Sequence, residues 1–324
     1  MQCRGDDPAR EDAPVSAAST TALIAVDWGT TALRAYRLTA SGDVIETRRS
    51  GDGILSVDGA FAAALTRHVE DWTADGAVPV LLSGMIGSRQ GWHETPYLTC
   101  PCSLQQLADA LVPLDHPRLD VRVVPGLADH RDGRDDVMRG EEVQVFGALA
   151  EAETGHFLLP GTHSKWVRVR DRRIVEIRTY MTGEIYAACR NHTILGRLMD
   201  EGGWCESSFR RGVADGAADG TPGALLGRLF GVRTAGLFDR LAAGELPDYL
   251  SGLLIGAELA DAAGDGSEPV TIVGDSGLVE RYRTAADTLS IACSLGESDA
   301  SVGAYIAIAR MAGLLGQSGS RRGV

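Results

Sequence analysis

Apolar and polar positions along the chain mark short strands that end at tight polar turns. Residues 22–26 form an apolar run of strand length, closed by Asp27-Trp28-Gly29-Thr30-Thr31. Residues 33–38 then alternate, Ser41-Gly42-Asp43 turns, and residues 44–48 read as a returning third strand. A helix is expected over 58–73, with Phe61, Leu65, His68 and Val69 on one face. Strands follow at 78–82 and 121–124, and helical spacing over 143–152. The opening pattern then recurs. Residues 157–159 end in Pro160-Gly161-Thr162-His163-Ser164-Lys165, 166–170 alternate, and 174–177 return. This is a repeat of architecture rather than of identity.

The stretch 195–246 reads as helices and loops, and 249–262 as a helix carrying Gly252 and Gly256. A strand at 270–273 ends in Gly274-Asp275-Ser276-Gly277 and feeds a helix over 278–286. A strand at 289–293 and a helix at 300–315 complete the pattern. Trp72 and Trp204 read as core or domain-packing residues, and the acidic run 129–136 as a solvated loop.

Composition narrows the function classes. The chain has 324 residues and a net charge of −13, which argues against a general nucleic-acid binder. No apolar run approaches bilayer length, so no membrane partner is expected. The first twenty residues are polar and lack an apolar signal core, so a disordered tail and a cytoplasmic location are expected. The six cysteines are scattered; Cys100-Pro101-Cys102 has no zinc or redox spacing, and free thiols are expected. Lys165 is the only lysine, in a chain that otherwise writes arginine for every long basic residue.

Three turns carry the candidate chemistry. Each ends a strand and contains Gly, which lets backbone N–H groups approach an anion. The first adds an acid, Asp27, able to hold Mg²⁺, and the hydroxyls of Thr30 and Thr31. The second adds Thr162, Ser164 and an ammonium, with His163 as a further donor. The third, Gly274 to Gly277, opens a helix whose N-terminus favours an anion or a nucleotide edge. Any one alone is equally well a hairpin or strand–helix turn. Likewise Glu141 and Glu142 are, on chemistry alone, first-turn glutamates favoured by the helix dipole.

The order of these turns resembles the phosphate-1, phosphate-2 and adenosine motifs of the superfamily of actin, sugar kinases and heat-shock chaperone ATPases. The stretches VDWGTTALRA, SGMIGSRQGW, VMRGEEVQ, LPGTHSKWV, TYMTGE and LSGLLIGAE resemble, more narrowly, the 2-dehydro-3-deoxygalactonokinase family. The resemblance spans about residues 22–312, with Ser164 where the family often has Cys. It implies an α/β fold of two ribonuclease-H-like (actin-like ATPase) domains, 21–142 and 143–316, flanking an ATP and substrate cleft, with tails at 1–20 and 317–324.

It implies ATP and Mg²⁺ as cofactors and transfer of the γ-phosphoryl group to the 6-hydroxyl of 2-dehydro-3-deoxy-D-galactonate. Asp27 would be the metal-side acid, and Gly29, Thr30, Thr31, Gly161, Thr162, His163, Ser164, Gly274, Asp275, Ser276 and Gly277 the nucleotide contacts. The base would be Glu141, with Glu142 in reserve, and Lys165 would reach a phosphate oxygen. The pocket lip would comprise Ser83, Gly84, Met85, Ser88, Arg89 and Trp92, with Arg139 on the substrate carboxylate and Glu184 opposite.

Alternatives stay open: a kinase for the gluconate-derived epimer or a hexose, or a non-catalytic ATP-binding regulator. A regulator would be expected to carry an added DNA-binding helix-turn-helix, for which the short polar N-terminal stretch leaves no room. A homo-oligomer is compatible with the chain.

Overall fold

Residues 23–28 alternate between two apolar destinations, and this fixes the layers of the molecule. Ile24, Val26 and Trp28 face one core with Leu65 and Trp72, while Leu23 and Ala25 face another with Phe146 and Tyr305. The structure is a computed structural model and describes residues 20–73, 77–218, 223–264, 268–274, 276–297 and 299–315.

The first half runs β1 (Leu23–Trp28), β2 (Leu33–Leu38), β3 (Val44–Ser50), α1 (Phe61–Val69), β4 (Pro79–Ser83), β5 (Tyr97–Thr99), β6 (Cys102–Ser103), α2 (Leu104–Asp109), β7 (Val112–Leu114), β8 (Asp120–Val123), β9 (Gly126–Asp129), β10 (Asp136–Met138) and α3 (Glu141–Leu149). The second half runs β11 (Gly155–Leu159), β12 (Ser164–Arg170), β13 (Arg173–Tyr180), α4 (Thr182–His192), α5 (Glu206–Ala217), α6 (Ala224–Leu237), α7 (Leu246–Ala262), β14 (Val270–Ile272), α8 (Ser276–Thr288), β15 (Cys293–Leu295) and α9 (Ser301–Met311).

The first sheet has the order β3-β2-β1-β4-β8-β7 and the second β15-β14-β11-β12-β13-β6. In each, three antiparallel strands are followed by two parallel ones: β1 pairs with β4 and β4 with β8, as β11 pairs with β14 and β14 with β15. The expected architectural repeat is therefore a repeat of strand order, and each large sheet has the ribonuclease-H-like arrangement that was expected. A third sheet, β10-β9-β5, sits beside the cleft.

Helices α3 and α9 fill the space between the two large sheets, where Val145, Val302 and Ile308 share a core with Leu81 and Phe157. On the outer face of the second sheet, α5 and α7 pack backbone to backbone. A Cβ on Gly252 would come within 2.1 Å of the Phe209 carbonyl, and one on Gly256 within 2.2 Å of the Val213 carbonyl.

Several local expectations change. Leu289–Ser290 turns rather than extends, because Leu289 and Ile291 donate back to the end of α8 and Ser290 takes φ +57°; the strand begins at Cys293. Residues 130–131 and 133–135 of the acidic run are exposed, as expected of a solvated loop, but its two ends are built into the fold. Asp129 is 3% exposed and accepts from Arg131 and the Ile177 N–H, and Asp136 starts β10. Trp72 is buried, but Trp204 is 47% exposed, with Arg281 stacked 4.3 Å above it. Cys100, Cys102, Cys189, Cys205 and Cys293 are free thiols, as expected. Among the described residues, no helix is long and apolar enough to cross a membrane.

Candidate active site

The strand ends of both large sheets meet at a cleft of about 480 Å³. β1 supplies Asp27, with Gly29 and Thr30 just beyond it. β11 leads into Gly161, Thr162 and His163, and β14 into Val273 and Gly274. The entry to α3 supplies Arg139, Gly140 and Glu141, and the third sheet supplies Tyr97 and Val137. A recess of about 210 Å³ continues from it past Asp27, adding Arg34 and Ser301.

Asp27 stands at the junction of the cleft and its recess. Burial pushes its carboxyl up to about 6; Arg34 pulls it down, Glu141 pushes it further up, and a 3.4 Å hydrogen bond from Gln144 lowers it. Arg34 faces Asp27 across the β1–β2 hairpin. Two glycines bring backbone against this acid. Gly84 has φ +91° and Gly140 φ +108°, and a Cβ on Gly84 would come within 2.8 Å of the Trp28 carbonyl and 3.1 Å of Asp27 Oδ1. Any other residue at either position would be both strained and crowded.

Glu141 and Glu142 open α3 and go different ways. Glu141 lines the cleft, and its Oε2 accepts the Arg139 N–H at 2.9 Å. Glu142 is fully buried and takes the Gly140 N–H on both oxygens, at 2.9 and 2.7 Å. Burial first, then Glu141, pushes its carboxyl up to about 8.

Arg139 is 7% exposed. Its Nη1 donates to Thr95 Oγ1, its Nη2 to the Thr95 carbonyl at 2.9 Å, and its guanidinium lies 4.2 Å over the Tyr97 ring. Its Nε is buried without a hydrogen-bond partner.

The second Gly-Thr turn is held from beneath. Ser164 Oγ shares a 2.8 Å hydrogen bond with Tyr282 OH, which donates at 2.7 Å to the buried Glu258. Glu258 also accepts from Trp166 Nε1 at 2.9 Å and from Thr182 Oγ1. Burial raises the Glu258 carboxyl, against the hydrogen bonds from Thr182, Tyr282 and Trp166, which lower it. His163 Nε2 meets Glu184 Oε2 at 2.5 Å at the surface. Lys165, 8% exposed, donates to the Val137 carbonyl and to Thr179 Oγ1, both at 2.7 Å.

The family sequence model described as 2-keto-3-deoxy-galactonokinase matches residues 27–308. The chain belongs to that family. It is 37% identical over 298 residues to a Rhizobium meliloti strain 1021 protein provisionally assigned as 2-dehydro-3-deoxygalactonokinase, covering 89% of this chain and 96% of that one. It is 35% identical over 269 residues to 2-dehydro-3-deoxygalactonokinase of Escherichia coli strain K12, covering 82% of this chain and 89% of that one. A Sinorhizobium meliloti crystal structure, also provisionally assigned as a 2-dehydro-3-deoxygalactonokinase, superposes with a TM-score of 0.82 at 36% identity, covering 89% and 98% of the two chains.

For this member of the 2-keto-3-deoxy-galactonokinase family, the structure brings together Asp27, Gly29, Thr30, Gly84, Met85, Arg139, Glu141, Gly161, Thr162, His163, Lys165 and Gly274. Other expected site residues lie elsewhere. Ser83 is buried and bonded at 2.5 Å to Tyr305 of α9, so it cannot form a lip. Arg89 points to solvent and pairs with Glu94, and Ser88 accepts the Gln90 N–H on its hydroxyl and the Gly91 N–H on its carbonyl, both within its own turn. Trp92 packs on the first-sheet core and on His116. Glu142 and Ser164 are buried beneath the cleft, Thr31 is exposed outside it, and Glu184 touches the cleft rim through its side chain on His163 and its N–H on the Thr162 carbonyl. Gly277 lies on the first turn of α8, exposed and outside the cleft lining; Asp275 and the Ser276 side chain lie outside the described residues.

Residue-by-residue reasoning passed over Arg34, Tyr97, Gln144, Glu258 and Tyr282. Arg34 had a signal: a tight Gly29–Ala32 turn puts it directly opposite Asp27. Gln144, one helical turn beyond Glu141, and Glu258, at the end of LSGLLIGAE, lie in the quoted stretches but are polar helix residues by type alone, and Tyr97 and Tyr282 come from distant segments with no local mark.

Proposed function

We propose that this chain transfers the γ-phosphoryl group of ATP to the terminal 6-hydroxyl of 2-dehydro-3-deoxy-D-galactonate, a cytoplasmic step of galactonate breakdown. The observation that carries the reading is Arg139. A buried cation with an unpartnered Nε sits two residues from a cleft-lining carboxylate, between two Gly-Thr turns. A neutral hexose offers a buried guanidinium only uncharged hydroxyl acceptors, whereas a sugar acid offers a carboxylate that also neutralises its charge.

In this reading Arg139, already fixed through Nη1 and Nη2 on Thr95, binds the substrate carboxylate along its Nε edge. Glu141, oriented by the Arg139 N–H, takes the proton of the attacking hydroxyl at Oε1. The turns at Gly29–Thr30 and Gly161–Thr162 hold phosphates by backbone N–H groups. The purine lies in a recess of about 170 Å³ lined by Gly183, Tyr186, Leu254, Ile255, Leu278 and Arg281. That places it between α4, α7 and α8 rather than along Gly274–Gly277.

Asp27 suits a divalent cation such as Mg²⁺: a buried carboxyl, pushed up to about 6, has another carboxylate nearby and one arginine as counter-charge. Among the described residues no cluster of three metal-ligating side chains exists, which fits an ion carried largely by phosphates and water. When bound, the ion would neutralise charge on the transferring phosphoryl group. The two large sheets, expected to form domains 21–142 and 143–316 but crossed by β6 and α9, would close over the pair of substrates.

The test is ATP consumption with Mg²⁺ and an acceptor panel: the galactonate-derived acid, its gluconate epimer and glucose. The galactonate-derived acid should be turned over best. Equal or better turnover of glucose would refute the sugar-acid reading, and ATP binding without turnover of any acceptor would point to a regulator.

A further inference from the structure

Strand β10 is an edge strand: within its sheet it pairs only with β9. Its free side is held by the second large sheet. Lys165 of β12 donates to the Val137 carbonyl at 2.7 Å and to Thr179 Oγ1 at 2.7 Å. Thr179 of β13 donates its N–H to Asp136 Oδ2 at 2.7 Å and its hydroxyl to Asp136 Oδ1. Two residues earlier on β13, the Ile177 N–H donates to Asp129 at 2.9 Å. Immediately downstream of β10 come Arg139 and Glu141, linked by the Arg139 N–H to Glu141 Oε2 hydrogen bond.

We propose that Lys165 is a positioning residue, which with Thr179 and Asp136 latches β10 to the second sheet and so sets Arg139 and Glu141 in the cleft. The proposal rests on the kinase reading for its effect on rate, but not for the latch itself. It also explains the lone lysine. A compact ammonium on a flexible stem reaches a carbonyl and a hydroxyl in a nearly closed space, where a planar guanidinium fork has the wrong shape. Two of the three ammonium donors are committed to protein acceptors, so the group acts mainly through β10 and not as a free phosphate ligand.

The test is a double-mutant cycle with Lys165→Met and Thr179→Val, reading kcat, the KM of each substrate and the Kd of ATP. Each single change should lower kcat about 10- to 100-fold by misplacing the base. The ATP Kd should stay within about threefold of wild type, and the double mutant should cost clearly less than the sum. Should Lys165→Met alone weaken ATP about tenfold or more with additive costs, Lys165 is a phosphate ligand and the latch is wrong. Wild-type kcat in both single variants would also overturn it. If Lys165→Met fails to fold, Thr179→Val and Lys165→Arg carry the same comparison. If wild type phosphorylates no sugar acid, the kinase reading fails separately. The latch is then read by hydrogen exchange over 136–141, which Lys165→Met and Thr179→Val should both accelerate; unchanged protection would refute it.

Discussion

The hairpins β1–β2 and β11–β12 occupy the same place in two sheets of the same strand order, and they end differently. At the first, Asp27 lies across from Arg34, yet its carboxyl is still pushed up to about 6 because burial outweighs that one cation. At the second, Leu159 lies across from Lys165, whose ammonium has two short acceptors, while Ser164 feeds a buried network of Tyr282, Glu258, Trp166 and Thr182. The first hairpin is electrostatically incomplete without a ligand, and the second is satisfied by the protein. Scaffolds of the same strand order can thus divide labour: the unsatisfied side chain, Asp27, is where the ligand's metal-side charge belongs, while the satisfied side chains beneath the second turn fix the geometry of the backbone that would hold a phosphate.

This contrast orders the expected effects of substitution. Glu141→Gln, on the helix that faces the incomplete hairpin, should lower kcat about 10²- to 10⁴-fold while ATP still binds, as steady-state kinetics and calorimetry would read. Asp27→Asn should cost about 10²- to 10³-fold in kcat/KM. The working form of Asp27 is the carboxylate, so wild-type activity should fall as pH drops through about 6, and the residual activity of Asp27→Asn should lose that limb.

Arg139→Lys should raise the KM for the sugar acid roughly 10- to 100-fold with a smaller change for ATP, since an ammonium cannot hold Thr95 and a carboxylate edge together. Smallest in catalysis should be Tyr282→Phe beneath the second hairpin. It removes a buried hydroxyl from Ser164 and Glu258 and should cost about 1–3 kcal/mol of stability in denaturant unfolding, with kcat changed far less than by Glu141→Gln. A collapse of kcat with unchanged stability in Tyr282→Phe would erase the proposed division.

Much of the scaffold was legible because its causes are local. Alternating strands joined by Gly-containing turns at 29–32 and 160–164 announce hairpins, and both hairpins form. The small sheet was not legible. β5, β9 and β10 are three or four residues long, and Asp129 and Asp136 look solvated until Arg131 within the run and Ile177 and Thr179 outside it supply partners. The same limit governs the cleft. Asp27, Glu141 and the Gly-Thr turns stand out by type and spacing. Ser83 reads like a lip residue and is instead tied to Tyr305, 222 positions away. Glu141 and Glu142 are indistinguishable as letters; helix phase alone turns one to the cleft and buries the other.

The most direct test of the contrast is proton release on binding Mg²⁺ and ATP, measured by calorimetry in buffers of different ionisation enthalpy. With Asp27 titrating near 6, wild type at pH 6 should release about half a proton more than Asp27→Asn, and the difference should vanish by pH 8. Equal proton release by the two proteins at pH 6 would mean that Asp27 does not meet the ligand's charge, and the first hairpin would not be the incomplete half of the site.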